Sequence, residues 1–383
     1  MAKIRLGMVG GGQGGFIGAV HRIAARLDDE FELVAGALSS DPIRALDSAN
    51  SIGIVEARAY TSYQRMAETE AKRSDGIEAV AIVTPNDSHA DIATIFLNHG
   101  IHVICDKPLA VSVEQARMLG AAAAKSGKIL AVTYNYRGYP LIRQARAMCV
   151  SREIGKIRIV EVEYLQDWLA ERIEIGGSKG AQWRTDPERT GGAGAIGDIG
   201  VHAFDLARYV TGLRLDALSA ELTSFVPGRR VDDDARVLLR FEDGAKGLLW
   251  ASQVAIGNEN GLAIRVYGDR GGLEWHQSEP NELWYSQLGS PTQKLTRGGP
   301  GISVAAGQAT RLPAGHPEGY LEAFAFIYKE VAAAIRASQN ATDRNDESSF
   351  AMAIDGIAGL NFIQAALLSS AGGGVWQAVE KPS

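Results

Sequence analysis

Along the first third of the chain, short apolar runs alternate with stretches of helical spacing. Residues 4–9 form an apolar run that ends in glycines, and helical spacing follows from about residue 19 to residue 27. "FELVAGAL" (31–38) reads as a second strand. Pro42 then opens a helix, a place where proline is tolerated. "AVAIVT" (79–84) is a buried strand. Ser88 is placed to cap a helix through Asn98, which Gly100 ends. "HVICD", a helix over 113–125 and "KILAVT" continue the pattern. Such alternation predicts a parallel sheet covered by helices on both faces.

After residue 156 the pattern changes. "KIRIVEVEYLQDW", "LSAELTSFV", "ARVLLRF", "KGLLWASQV", "LAIRVYG" and "GGLEWHQ" read as strands that follow one another, which suggests an antiparallel meander. Asp243-Gly244 is a turn signal between two of them. The glycine- and proline-rich stretch 289–319 reads as a long surface loop, followed by a helix over about 320–337. The expectation is an α/β plus α+β protein. An N-terminal Rossmann domain with a parallel sheet spans 1–133, and a domain with an open, mostly antiparallel sheet spans 134–383.

The 383 residues, 46% apolar and 22% charged, suit an ordinary globular protein of two domains. A net charge of -6 without a basic stripe argues against a nucleic-acid partner. No apolar run reads as long enough to span a bilayer, and the N-terminus lacks a charged-then-apolar leader. The expected location is therefore the cytoplasm. Two cysteines, Cys105 and Cys149, cannot make a disulfide framework, and no histidine and cysteine spacing reads as a metal site. The Asn-x-Ser/Thr matches at Asn86 and Asn340 are chance.

Chemistry enters with "GMVGGGQGGFIGAVH". Gly10, Gly12 and Gly15 satisfy G-x-G-x-x-G between a strand and a helix, the setting in which backbone N–H groups and a helix N-terminus hold a pyrophosphate. Gly18 is an alternative third glycine, and Gln13 lies within the turn. The carboxylate expected after the second strand, to bind ribose hydroxyls, is missing from "ALSSDPIR". Ser39 and Ser40 stand there, Asp41 follows, and Arg44 is placed to accept a phosphate. NAD and NADP both remain open. "TPNDSH" (Thr84, Pro85, Asn86, His89) and "CDKPLA" (Asp106, Lys107) end strands, where ligands bind in open α/β sheets. Lys107 is suited to polarise a carbonyl or alkoxide oxygen. Asn135 and Arg137 just past the last strand are candidates to reach ligand hydroxyls. No tyrosine has lysine four residues on, which excludes a short-chain dehydrogenase pattern.

Behind the glycine-rich stretch 191–197, Asp198, His202, Asp205 and Tyr209 recur at steps of four, three and four, on one helix face. His202 is suited to take a hydroxyl proton near neutral pH.

The glycine turn, "TPNDSH", "CDKPLA", "NYR", "WR" (Trp183, Arg184) and "GDIGVH" together resemble the Gfo/Idh/MocA oxidoreductases over nearly the whole chain. That resemblance implies a catalytic lysine at Lys107 and an Asp-x-x-x-His pair at Asp198 and His202. Asp106 departs from the glutamate usual before the Lys-Pro. It implies hydride transfer between NAD or NADP and a secondary alcohol of a sugar, inositol or related polyol. It also implies cofactor contacts from the strand-end residues, and an oligomer, a homodimer or homotetramer, built through the second domain. Tyr136, Arg137, Trp183, Arg184 and His316 are further candidates to contact substrate. The alternatives are a sugar or dinucleotide sensor without turnover, and an enzyme that recycles a tightly bound nicotinamide on glycosides.

Overall fold

The computed structural model describes residues 2–339 and 350–382; Asn340 lies outside the described residues. The chain divides into two compact units. The first comprises residues 1–135 with 321–357, and the second 136–320 with 358–383. The expected cut near 133 is thus crossed again. The helix Tyr320–Gln339 and the short strand Ala351–Met352 fall, but for Tyr320, in the first unit. Tyr328 and Phe324 of that helix pack edge-on to His21, and the short strand pairs antiparallel with the last strand of the first sheet. A single cut in sequence misses this return because nothing local in an apolar helix says which sheet it will cover.

In the first unit β1 (Ile4–Gly10), β2 (Phe31–Ala37), β3 (Ala79–Val83), β4 (His102–Cys105) and β5 (Leu130–Val132) lie parallel in the order β5-β4-β3-β1-β2. β3 and β4 are buried throughout, as a sheet covered on both faces requires. The order reverses direction at β1, the point where doubly wound sheets open a crevice at their carboxyl edge. The first helix, Phe16–Leu27, starts earlier than its spacing suggests, directly behind Gly15. Ser88 does not cap the helix His89–Asn98. Its hydroxyl instead donates to Thr84 Oγ1 (2.7 Å) and the Pro85 carbonyl (2.8 Å), closing a 3-10 turn over Asn86–Ser88.

The second unit holds β6 (Ile157–Leu165), β7 (Leu215–Thr223), β8 (Asp234–Phe241), β9 (Lys246–Ser252), β10 (Gly261–Gly268), β11 (Gly271–His276), β12 (Glu282–Gln287) and β13 (Gln293–Thr296). Their order is β13-β12-β11-β10-β6-β9-β8-β7, with Gln377–Ala378 on the edge. This is not the simple meander expected. β6 inserts between β9 and β10 and runs parallel to β9, because helical segments from Lys179 to Thr211 carry the chain away before β7. The stretch 289–319 is also more than a loop: it contains β13 and the helix Val304–Ala309. β8 alternates buried and exposed positions from Ala235 to Phe241, so one sheet face is covered and the other is open.

One described helix, Ala353–Ala371, is long and apolar enough for a membrane span by length and composition alone. Most of it is buried: Phe362 stacks on Phe204 at 4.4 Å, and Asn361 Nδ2 donates to the Glu380 carbonyl. Those are the contacts of a core helix.

Candidate active site

The first unit assembles one group of candidates at the carboxyl edge of its sheet. Gly10 and Gly11 have φ of +81° and +69°, so the chain turns there in a conformation that favours glycine. A Cβ on Gly12 would lie 2.7 Å from the Leu38 carbonyl oxygen and from Ser48 Oγ. A Cβ on Gly18 would lie 2.3 Å from the Gly11 carbonyl oxygen, whereas the nearest atom to one on Gly15 is at 3.3 Å. Gly18, not Gly15, therefore lets the helix close onto the turn, and Gln13 to Gly15 are an insertion in the fingerprint. Gln13 N donates to Ser48 Oγ (3.1 Å) and Arg22 Nη1 to the Gly11 carbonyl (2.7 Å), which brace the loop.

At the end of β2, Ser39 Oγ accepts from Asp41 N (3.1 Å), and the Asp41 carboxylate accepts from Arg44 N (2.8 Å), capping the helix Pro42–Ser51. Ser40, Asp41 and Arg44 are exposed. At the end of β3, Thr84 and Pro85 are half-buried and Asn86 is buried. His89 is fully buried with its ring nitrogens 2.9 Å from the carbonyl oxygens of Pro108 and Thr84. It braces the ends of β3 and β4, and so is not placed to hold a ligand as the motif suggested. Asp106 Oδ1 accepts from Lys107 N and Thr133 Oγ1, both at 2.9 Å, and Lys107 stands half-exposed next to it. Burial pushes the neighbouring Cys105 thiol well up, which leaves it inert.

A dinucleotide fits this edge on two observations. The turn at Gly12 has no room for a Cβ, which would meet the Leu38 carbonyl oxygen and Ser48 Oγ, so the loop stays bare backbone. Asn135, 2% exposed, has a buried Nδ2 with no hydrogen-bond partner among the described residues. A buried amide N–H left over in this way calls for an acceptor.

The second unit builds the other group around the helix that follows the glycine-rich stretch. Its first turn, Ile196–Gly200, is π-helical and runs straight into the α-helix Val201–Thr211. Asp198 lies in that wider turn, so the step from Asp198 to His202 is not the plain α-helical step inferred from spacing; π turns recur at functional sites. Asp198 Oδ2 accepts from Gln253 Nε2 (2.9 Å) and Arg184 Nε (3.2 Å). Arg184 in turn lies over the rings of Trp183 (4.2 Å) and Trp168 (5.8 Å). His202, 8% exposed, meets the Tyr136 ring edge-on with centroids 5.1 Å apart. The Tyr136 and Tyr164 hydroxyls are 2.5 Å apart, Tyr164 donates to Asn260 Oδ1, and burial raises both phenols above their ordinary value. Tyr136, Asp198, His202, Trp183 and Arg184 thus share one polar and aromatic cluster.

Four candidates fall outside it. Arg137 does not present its guanidinium to a ligand. Nε donates to Asp205 Oδ2 at 2.8 Å, Nη2 pairs with Oδ1, and the group lies over the Tyr209 ring. Asp205 and Tyr209 are accordingly structural; Tyr209 also lies under Arg146. His316 is exposed, and only its backbone is tied down, its carbonyl accepting from Arg297 Nη2. Among the described residues no group of histidine, cysteine and carboxylate side chains could hold a metal. Sequence reading missed Gln253, Tyr164 and Asn260. Their only signal is polar character at positions next to apolar strands.

The comparisons with known proteins agree with this layout. Residues 4–134 match the oxidoreductase family with an NAD-binding Rossmann fold, and residues 142–274 match the Gfo/Idh/MocA C-terminal domain. An uncharacterized oxidoreductase of Bacillus subtilis is 37% identical over 377 residues, covering 97% of this chain and 96% of its own. A crystal structure of an oxidoreductase from Sinorhizobium meliloti is 50% identical with a TM-score of 0.89, covering 98% of this chain and 100% of that one. An inositol dehydrogenase homolog from Azotobacter vinelandii, complexed with NADH and myo-inositol, is 36% identical with a TM-score of 0.91, covering 98% of this chain and 97% of that one. The glycine turn, the strand-end residues and the helix with its π-helical first turn are therefore parts of an NAD-binding oxidoreductase, and the chain belongs to the Gfo/Idh/MocA family.

Proposed function

We propose that the protein oxidises a secondary alcohol of a cyclic polyol or sugar, with His202 as the proton acceptor and Lys107 as the cation that stabilises the alcohol oxygen. The observation that carries this reading is a held Asp198 carboxylate four residues before a buried His202 on one helix. Gln253 and Arg184 converge on the Asp198 carboxylate, while Tyr136 walls the imidazole. A partly desolvated imidazole accepts a hydroxyl proton near neutral pH. In this reading the Asp198 carboxylate faces the substrate hydroxyls, and Arg184 with Trp183 borders a sugar-sized ligand. The nicotinamide ring, when bound, supplies hydride acceptance. Gly10, Gly12, Gln13 and the helix start behind Gly15 would hold the pyrophosphate, Asn135 would donate its spare N–H, and Thr84 to Asn86 would line the edge.

NAD is the preferred cofactor in this reading. The Asp41 carboxylate is held at the end of β2, where it would accept from ribose hydroxyls and repel a 2′-phosphate. Two buried free thiols suit a cytoplasmic setting. The open face of the second sheet exposes Ile159, Leu238, Leu248 and Trp284, which supports assembly into a homodimer or homotetramer.

The test is nicotinamide reduction by purified protein with NAD and with NADP against inositols, aldoses and glycosides. Lys107→Ala and His202→Ala should each lower turnover about a hundredfold or more while cofactor affinity persists. Asp41→Ala should shift preference toward NADP. Full activity in both catalytic variants, or tight cofactor binding with no turnover on any substrate, overturns the reading. The latter would favour a sensor or an enzyme with a closed cofactor cycle.

A further inference from the structure

The π-helical turn that carries Asp198 has no cap of its own, since Ala195 precedes it without a side-chain acceptor. The acceptor comes from elsewhere. Asp232, 36 residues beyond Ile196 and just before β8, takes the Gly194 N–H on Oδ1 (2.6 Å) and the Ile196 N–H on Oδ2 (2.7 Å). Its carbonyl accepts from Ala195 N (2.9 Å). Three successive amides of the glycine-rich stretch thus end on one residue. The approach is so close that a Cβ on Gly194 would lie 1.9 Å from the Asp232 carbonyl oxygen. The Gly194 carbonyl then accepts from Gly197 N and Asp198 N (3.1 and 2.9 Å), which starts the turn.

The adjacent residue holds Asp198 from the other side. The Asp233 carbonyl accepts from Gln253 N (2.8 Å), and Gln253 Nε2 is a donor to Asp198 Oδ2. The Asp233 carboxylate is itself fixed by Phe225 N, Val226 N and Arg229 Nη1. So one segment, Asp232-Asp233, anchors both the backbone under Asp198 and the amide on its carboxylate.

We propose that Asp232 is a positioning residue for the reaction: it caps the catalytic helix from a distant point in the chain and sets the π turn that presents Asp198 and His202. This inference rests on the dehydrogenase reading above. Asp232 is buried, and burial lifts its carboxyl to about 6, against the pull of the Ile196 and Gly194 amides. Keeping a carboxylate in such a place costs stability. A cap needed only for folding is met by Ser or Asn at the helix start. What the remote cap adds is a fixed relation between the turn and the strand end that bears Gln253.

The experiment compares wild type, Asp232→Asn and Asp232→Glu for kcat, substrate KM, cofactor affinity and the pH profile of turnover. In the Asn variant the amide NH2 faces one of the two donor N–H groups, so the turn loses one anchor. The expected result is a fall in kcat of about tenfold or more, with cofactor affinity within about twofold and a shifted limb in the pH profile. Asp232→Glu should recover part of kcat. Wild-type kcat and pH profile in Asp232→Asn overturns the inference, as does loss of kcat and cofactor binding in the same proportion, which marks simple unfolding. If Asp232→Asn does not fold, the Glu variant decides: reduced kcat with intact cofactor affinity supports the role, and wild-type kcat overturns it. A wild-type enzyme inactive on every polyol and sugar would instead remove the dehydrogenase reading itself.

Discussion

Removing the Asp205 carboxylate tests whether the helix after the π turn is locked by charge or merely packed. Arg137 and Asp205 side chains are each 5% exposed, and Arg137 Nε is 2.8 Å from Asp205 Oδ2 with a second bond alongside. At that distance, with an effective dielectric of about 20, the attraction is about 6 kcal/mol, most of which offsets the desolvation of both groups. Asp205→Ala keeps that desolvation cost for the guanidinium and removes the carboxylate that balanced it. The expected loss is about 3–5 kcal/mol, a large part of the roughly 5–15 kcal/mol that holds a domain together. Urea denaturation followed by circular dichroism measures it. The double variant Arg137→Met/Asp205→Leu should recover most of the loss, because neither charge is then buried. A loss under about 1 kcal/mol for Asp205→Ala would mean that water reaches the pair, and the structural role given to Arg137 would fall with it.

Two further outcomes follow from the first unit. Gly18→Ala forces a Cβ to within 2.3 Å of the Gly11 carbonyl oxygen, and should cost about 1–3 kcal/mol and weaken cofactor binding, while Gly15→Ala should be milder; calorimetric titration with NAD compares them, and equal losses would refute the choice of Gly18 as the closing glycine. His21 is buried against Tyr328, and burial lowers its pKa from 6.5 to about 4. A depressed histidine leaves the unfolded chain binding more protons as pH falls from 6.5 toward 4. Its contribution is therefore present above pH 6.5 and declines by about 3 kcal/mol by pH 4. The buried Asp232 acts in the opposite direction below pH 6, so the effect is read as a difference: His21→Gln should flatten the acid limb of the stability curve relative to wild type. An unchanged slope would refute it.

Much of this protein was legible in the chain. Strand and helix alternation over the first 130 residues follows from local periodicity, and the carboxyl ends of those strands carry "TPN" and "DKP" because a parallel sheet sends every strand end to one edge. The glycine turn, Lys107, Asp198 and His202 could be named as candidates for the same reason: each is marked by a motif within a few residues. Family membership followed from those motifs together.

What stayed hidden depends on partners far apart in sequence. Spacing put Asp198, His202, Asp205 and Tyr209 on one α-helical face, but Asp198 lies in a π-helical turn held by Asp232 from 36 residues beyond Ile196, and Arg137 claims Asp205 and Tyr209. His89 and Arg137 looked like ligand contacts because they are polar and near motifs; the carbonyls and the carboxylate that claim them come from other segments. β6 could not be placed between β9 and β10 from its own pattern, since period-two alternation names a buried face and not a neighbour. Local periodicity and motif chemistry act over a few residues and are written in the chain directly. Pairing of strands, burial of charges and capping at a distance are settled by competition among all segments for the same partners, and that competition exists only in the folded molecule.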